Sequence, residues 1–330
     1  MYKSCFLGCG PRARGHAQAY KYVKNGKIAA ICDLNEERLQ AFGKDFGIET
    51  RYTDVHEMLD KERPDLLHIV TLPTLRVELM TIAAEHEVPV AIVEKPIAIQ
   101  GEDWRQIREL NAKCKTNFVV NTQLHFHPRN LELKRDVAEG RIGEIRFIDI
   151  SARSTIIDQG VHVLELAQSY NGFVAPTSVF GNVSGAKNIP THQPSPDVAE
   201  AAITFENGVR AQLLCGAVAP SNYKRISVYG TRGFVQWTMI SWERSTPEGG
   251  YESGTHDYGA EDVLGQAGLT DAAFDWVKDP NNLHPTRLER ALVKFNIILG
   301  VYASALQNAP ISLPFEPPDG LMDALKSRLS

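Results

Sequence analysis

Residues 6–17, FLGCGPRARGHA, set Gly8 and Gly10 directly after an apolar run and before a run with helical spacing. A strand that ends in glycines and enters a helix turns free backbone N–H groups, and the positive end of the helix dipole, toward whatever binds there, which suits phosphate. Gly8 permits the tight turn and Gly10 lets the backbone approach a pyrophosphate; Ala13, third in the G-x-G-x-x-G pattern, still allows close helix–strand packing. Asp33 ends the next apolar run 25 residues after Gly8, where a carboxylate accepts hydrogen bonds from the adenosine ribose hydroxyls. A carboxylate roughly 4 Å from a 2′-phosphate, at an effective dielectric of about 20, costs at most about 4 kcal/mol per unit charge, so Asp33 favours NAD. Arg12 and Arg14 can offset part of that repulsion and leave NADP use open.

Further along, Lys95 follows the apolar run Val90 to Val93, at the carboxyl end of a predicted parallel strand, where open α/β sheets bind ligands. Asp158 and His162 in DQGVHVLEL stand four apart and share one face of a helix near its start. His125 and His127 in TQLHFHPRN lie two apart on a possible strand; two histidines without a third ligand do not make a metal site, so no metal is expected and His125 is assigned to the substrate cleft. Trp242 and His256 are further side chains able to touch a substrate, although their spacing does not single them out.

The elements that must position these groups follow from periodicity. Strands are predicted at Lys3 to Leu7, Ile28 to Cys32, Leu66 to Val70, Val90 to Val93 and Phe118 to Val120, with helical spacing between them in Leu39, Phe42, Phe46 and in Trp104, Ile107, Leu110. Asp54 followed by Glu57 resembles a capping box, and Val77 to Glu87 reads as a helix. This βαβ grammar predicts a parallel sheet. After a helix that ends at Gly140, short turns replace helices as connectors: FENGV places an Asn207-Gly208 turn between two β-rich runs, and VYGTRGFVQW repeats the idea. Helices are expected near Asp158 to Tyr170 and Leu288 to Leu306, and the polar, Gly-rich segment Ser241 to Gly259 reads as loop. The expected class is α/β, with an N-terminal Rossmann domain (residues 1–121) followed by an α+β domain on a large, mostly antiparallel sheet (residues 122–330) that binds substrate and mediates oligomerisation.

Composition narrows the function. With 43% hydrophobic and 23% charged residues, a net charge of −5 and no long run of like charges, the 330-residue chain has neither a basic nucleic-acid footprint nor an acidic tail. Neither a signal segment nor a membrane span is expected. Cys5, Cys9, Cys32, Cys114 and Cys215 contain no C-x-x-C pair, which fits reduced thiols and a cytoplasmic protein. The expected partner is a small polyhydroxylated molecule, with no nucleic acid and no membrane. The sheet of the second domain, with one face left for pairing, predicts a homodimer or homotetramer.

Glu94, Lys95 and Pro96 in VEKPIA form an E-K-P triplet, and GCGPRARGHA, IVTLPTLRVEL, VEKPIA, EGRIGEIRF, DQGVHVLEL, VYGTRGFVQW and YASALQNAPISLP follow in order over nearly the whole chain. In these the sequence resembles the Gfo/Idh/MocA family of glucose-fructose oxidoreductase, inositol dehydrogenase and rhizopine-catabolism proteins. The resemblance implies an NAD(P)-dependent dehydrogenase or reductase acting on a secondary hydroxyl of a sugar, sugar acid or cyclitol. It implies a cofactor set of Gly8, Gly10, Pro11, Arg12, Ala13, Asp33, Thr71, Pro73, Glu94 and Lys95. It also implies a Lys-Pro bond that is often cis, with Lys95 beside the nicotinamide reaching the reacting oxygen. Asp158 and His162 match the family's D-x-x-x-H signature: His162, with an unperturbed pKa of about 6.5, takes the hydroxyl proton, and Asp158 orients substrate or imidazole. Lys95, His125, Asp158 and His162 then form the substrate set. Two positions depart: Glu165 stands where the family often has Asp, and Arg76 where it often has His. Rival expectations are a glycosidase that oxidises its sugar transiently with NAD, and a non-catalytic NAD-sensing regulator.

Overall fold

The computed structural model describes residues 1–329. The chain forms two compact units, each drawn from more than one stretch of sequence. The first unit is Met1–Ile97, Arg105–Phe126 and Asp262–Ala291; the second is Ala98–Trp104, His127–Glu261 and the chain from Leu292 on.

In the first unit the apolar runs become β1 (Tyr2–Leu7), β2 (Gly26–Cys32), β3 (Arg51–Tyr52), β4 (Leu66–Ile69), β5 (Val90–Glu94) and β6 (Asn117–Asn121), alternating with α1 (Pro11–Ala19), α2 (Glu36–Phe46), α3 (Val55–Glu62), α4 (Arg76–Glu85) and α5 (Gly101–Lys113). The sheet is parallel throughout, in the order β3-β2-β1-β4-β5-β6. That order reverses between β1 and β4, so the crevice for a ligand lies beyond the carboxyl ends of these two strands. The helix starts are fixed locally: Asn35 accepts from the Arg38 amide at 2.8 Å and Asp54 from the Glu57 amide at 2.9 Å. One side of the sheet is closed by a core of Phe6, Ile31, Leu39 and Phe42. Leu66, Val90, Ile92 and Val119 pack against Leu269, Ala273 and Phe274 of a long helix, α8 (Tyr258–Lys278). Burying a large apolar side chain stabilises by roughly 1.5–3 kcal/mol, which is why residues 262–291 fold back onto this sheet. Glycines and acidic residues interrupt the apolar period of α8, so no helical repeat shows in its sequence.

The second unit holds α6 (Pro128–Ala138), β7 (Ile145–Ala152), α7 (Val161–Tyr170) and β8 (Pro176–Ser184) through β9 (Val198–Phe205), β10 (Arg210–Cys215), β11 (Arg225–Gly230) and β12 (Phe234–Thr238). It continues with β13 (Ser241–Thr246), β14 (Gly250–Thr255), most of α9 (Leu288–Gln307), β15 (Ile311–Ser312) and α10 (Leu321–Leu329). The nine strands run β14-β13-β12-β11-β7-β10-β9-β8-β15, antiparallel except for the β7/β10 pair. Gly208 takes a φ of +82° in the expected Asn-Gly turn, where Asn207 Oδ1 accepts from the Val209 amide at 3.2 Å. The expected loop at 241–259 is corrected: β13 and β14 form a hairpin at the sheet edge. An edge hairpin half-exposed on both faces carries no apolar alternation, so its strands are silent in the sequence. Among the described residues, no helix is long and apolar enough to cross a membrane.

Candidate functional site

The glycine turn of the first unit is built as a cradle. Gly8 sits at φ +98°, and a Cβ there would lie 2.3 Å from the Val70 carbonyl oxygen, so only glycine fits. At Gly10 a Cβ would meet nothing within 4 Å, so open space lies in front of the first turn of α1. Pro11 occupies N1, where a missing N–H costs nothing, and Ala13 is fully buried against the sheet. Asp33 Oδ2 accepts from the Cys9 amide at 2.8 Å, tying this carboxylate to the glycine turn; Oδ1 accepts from the Asn35 amide at 2.7 Å and from Arg38 Nη2 at 3.1 Å. An open helix N-terminus with a carboxylate beside it fits an adenine dinucleotide.

Arg12 and Arg14, expected to offset part of the repulsion on a 2′-phosphate, each pair with a carboxylate other than Asp33. Arg12 Nε pairs with Glu94 at 2.9 Å, and Arg14 Nη1 pairs with Asp45 at 2.7 Å. The cation on Asp33 is Arg38, five residues on along α2, where helical spacing returns the side chain to the strand end.

Glu94 is the focus of a buried polar network. Its Oε1 accepts from Arg12, from His16 Nε2 at 2.8 Å and from Asn121 Nδ2 at 2.6 Å. His16 Nδ1 and His68 Nδ1 lie 3.1 Å apart, and His68 Nε2 is 2.9 Å from the Tyr20 hydroxyl oxygen, so the chain of hydrogen-bonded rings runs from Glu94 to Tyr20. Burial lowers both histidines and keeps them neutral. Burial alone would raise the Glu94 carboxyl, but the Arg12 guanidinium and the His16 hydrogen bond outweigh it and hold Glu94 well below the usual carboxylate range. Lys95 follows directly, and the Lys95–Pro96 bond is cis. Thr71 and Pro73 line the turn after β4, where Pro73 is buried and Thr71 half-buried. Arg76, 1% exposed, is driven down to about 10 by burial, with Glu94 pulling the other way.

In the second unit Asp158 lies in a π-helical turn, Ile156–Gly160, that runs into α7. The cap is Thr155, whose Oγ1 accepts from the Asp158 amide at 3.3 Å, so the Asp158 carboxylate is not spent on capping. Its Oδ2 accepts from Ser154 Oγ at 2.8 Å and from Gln159 Nε2 at 3.2 Å. Local π geometry inside a helix often marks a functional site. His162 is 3% exposed on the first turn of α7. Gln159 in turn accepts from Lys224 Nζ at 2.8 Å, a lysine that no sequence spacing connects to Asp158. Glu165 is not available to a substrate: it is fully buried and bonded to Lys294.

His125 and His127 do not share a strand. His125 lies in a 3-10 turn, Gln123–Phe126, of the first unit and His127 caps α6 in the second, because Pro128 starts a helix at its first position. His127 is buried within about a ring's width of Trp237 and His256, at 5.1 and 4.8 Å between centroids. Burial, then His256 and Arg129, push it down to about 3. Trp242 lies under the Arg129 guanidinium at 4.1 Å. Among the described residues no group of three His, Cys, Asp or Glu is placed to hold a metal ion. The structure thus places the residues expected to hold a dinucleotide in one unit and the Asp158–His162 pair in the other.

Two sequence models of one family match this chain: an "oxidoreductase family, NAD-binding Rossmann fold" model over residues 3–122 and a "GFO/IDH/MocA C-terminal domain" model over residues 152–236. Together they take in more than half of it. D-apiose dehydrogenase of Paraburkholderia graminis is 27% identical over 231 residues, covering 65% of this chain and 60% of that protein. Myo-inositol 2-dehydrogenase of Thermotoga maritima is 23% identical, covering 69% of this chain and 72% of that protein. The match to the two D-apiose dehydrogenases thus spans about six tenths of their length. An oxidoreductase from Agrobacterium radiobacter, solved with NAD+, L-tartaric acid and magnesium, superposes with a TM-score of 0.80 at 23% identity, over 94% of this chain and 98% of that one.

Proposed function

We propose, from the premise that this chain belongs to the Gfo/Idh/MocA family of oxidoreductases, that it is an NAD-dependent dehydrogenase acting on a secondary hydroxyl of a sugar, sugar acid or cyclitol. The observation that carries the cofactor half is the turn in which Gly8 is forced, Gly10 faces open space and Asp33 is bonded to the Cys9 amide. Gly8, Gly10, Pro11, Ala13 and Asp33 hold the dinucleotide, with Thr71, Pro73 and Glu94 beside it. NAD held there would supply the hydride acceptor for the substrate carbon. On this chain's side, His162 takes the hydroxyl proton, Lys95 holds the oxygen as negative charge develops on it, and Asp158 orients the substrate. His125 contributes to the substrate cleft. D-apiose and myo-inositol dehydrogenases among the relatives support the polyhydroxylated class. No observation favours the glycosidase or the regulator.

The test is NADH formation at 340 nm across sugars, sugar acids and cyclitols, each offered NAD and NADP. Turnover with at least one polyol is expected, with NAD preferred about tenfold or more over NADP, given a like-charge cost of a few kcal/mol at Asp33. No absorbance change with any polyol would remove the dehydrogenase reading; an NADP preference would remove the role of Asp33.

The free cysteines support a reducing, cytoplasmic setting. Strands β8 to β10 alternate buried and exposed residues, and Phe180 and Tyr229 are 45% and 39% exposed on this sheet, which supports pairing into a homodimer or homotetramer. Light scattering is expected to give two or four times the 36.6 kDa chain mass, and a monomer at micromolar concentration would end this part.

A further inference from the structure

We propose that Arg76 supplies a fixed positive charge for the anionic diphosphate of a bound dinucleotide, an inference that rests on the dinucleotide reading of the first unit. Arg76 is 1% exposed, and its Nε and Nη1 have no hydrogen-bond partner among the described residues. Nη2 reaches the Thr71 carbonyl oxygen at 3.5 Å, the far limit for such a bond. Glu94, at the end of β5, is the charged group acting on it, and that carboxylate is already bonded to Arg12, His16 and Asn121. Arg76 is moreover the first residue of α4, and the amino end of a helix disfavours a cation. A buried charge, orphaned donors and the wrong helix end all destabilise the fold, and violations of this kind concentrate where a site awaits its ligand.

The place also points to the ligand. Thr71 connects Arg76 to the glycine turn: its Cγ2 lies 3.3 Å from where a Cβ on Gly8 would be, and its Oγ1 is another buried atom with no partner. Arg76, Thr71 and Gly8 therefore sit together at the switch point between β1 and β4, within one unit. The anion that the proposed function brings to this turn is the diphosphate at the amino end of α1. The Arg76 nitrogens are enclosed, so Arg76 is a positioning residue that acts across the Thr71 segment, where low polarisability lets a charge be felt over several ångströms.

The experiment compares wild type, Arg76→Met and Arg76→Lys for thermal stability without cofactor and for binding of NADH, ADP and adenosine. Methionine keeps an apolar stem and removes the charge. The apo melting temperature of Arg76→Met is expected to rise by about 2 °C or more, because an uncompensated buried charge is gone. Its Kd for NADH and for ADP should rise about tenfold, while Arg76→Lys keeps affinity within about threefold. Adenosine, which has no phosphate, should bind wild type and Arg76→Met equally. A lower apo melting temperature or loss of soluble Arg76→Met would show that Arg76 serves the fold and would overturn the inference, as would unchanged ADP affinity. If wild type binds neither NADH nor ADP, the dinucleotide reading itself falls, and the inference with it.

Discussion

Lys95→Ala and His162→Ala are each expected to lose about 100- to 1,000-fold in kcat while their Kd for NADH stays within about threefold of wild type. Lys95 lies one residue past Glu94, whose carboxylate is fixed by Arg12, His16 and Asn121, so the backbone that presents the ammonium is anchored by buried hydrogen bonds. Truncation at Lys95 removes the charge that meets the developing alkoxide and leaves the glycine cradle alone. His162 belongs to the other unit and takes no part in the cradle, so cofactor binding is again spared. Its loss removes the base, so the acid limb of the kcat/KM–pH profile should disappear in His162→Ala and persist in Lys95→Ala. If the two groups serve one transition state, the double variant should fall little below the weaker single one. Steady-state kinetics with fluorescence titration of NADH checks all three; normal turnover in both single variants would falsify the roles.

The second large effect is on stability. Glu165→Leu or Lys294→Met should cost about 3–5 kcal/mol, because each removes the ion-pair partner of a buried charge. The side chains of Glu165 and Lys294 are 0% and 3% exposed, so solvent cannot rescue the orphan. Glu165 also supports Lys134, which burial drives down to about 8 against the pull of the carboxylate. Loss of Glu165 therefore removes a favourable charge from both lysines, and Glu165→Leu should be the worse of the two single changes. At about 2–4 °C per kcal/mol, the melting temperature should fall by roughly 10 °C. Replacing both, Glu165→Leu with Lys294→Met, should recover most of the loss, since a packed apolar pair needs no compensation. Thermal melts of the four proteins decide it; a double variant no better than Glu165→Leu would show that the pair is not the source of the stability.

The parallel sheet was legible because its strands are buried on both faces and read as unbroken apolar runs, each bounded by turn residues. The same physics made the glycine turn legible: Gly8 is forced by contact with the Val70 carbonyl, and a position with that constraint carries its reason in its residue type. Asp33 likewise stood out as a carboxylate at a strand end. What escaped was governed by contacts between distant residues. The hairpin of β13 and β14 has no apolar period, since its edge strands are half-exposed, and α8 reads poorly because Leu269, Ala273 and Phe274 acquire their meaning from sheet residues Leu66, Val90, Ile92 and Val119, far earlier in the chain.

For the candidate site, the sequence by itself determined which chemical groups the chain owns and which of them lie on common local elements: the cradle residues on one strand–helix turn, and Asp158 with His162 on one helical stretch. Only the tertiary structure decided what each group spends its charge on. It gave Arg12 to Glu94, Arg14 to Asp45 and Arg38 to Asp33, and it closed Glu165 onto Lys294. It also handed the capping of the turn before α7 to Thr155, leaving the Asp158 carboxylate for other donors. The reason is range: backbone propensity acts over a few residues and is written locally, whereas charge pairing and burial act between side chains that only folding brings within a few ångströms.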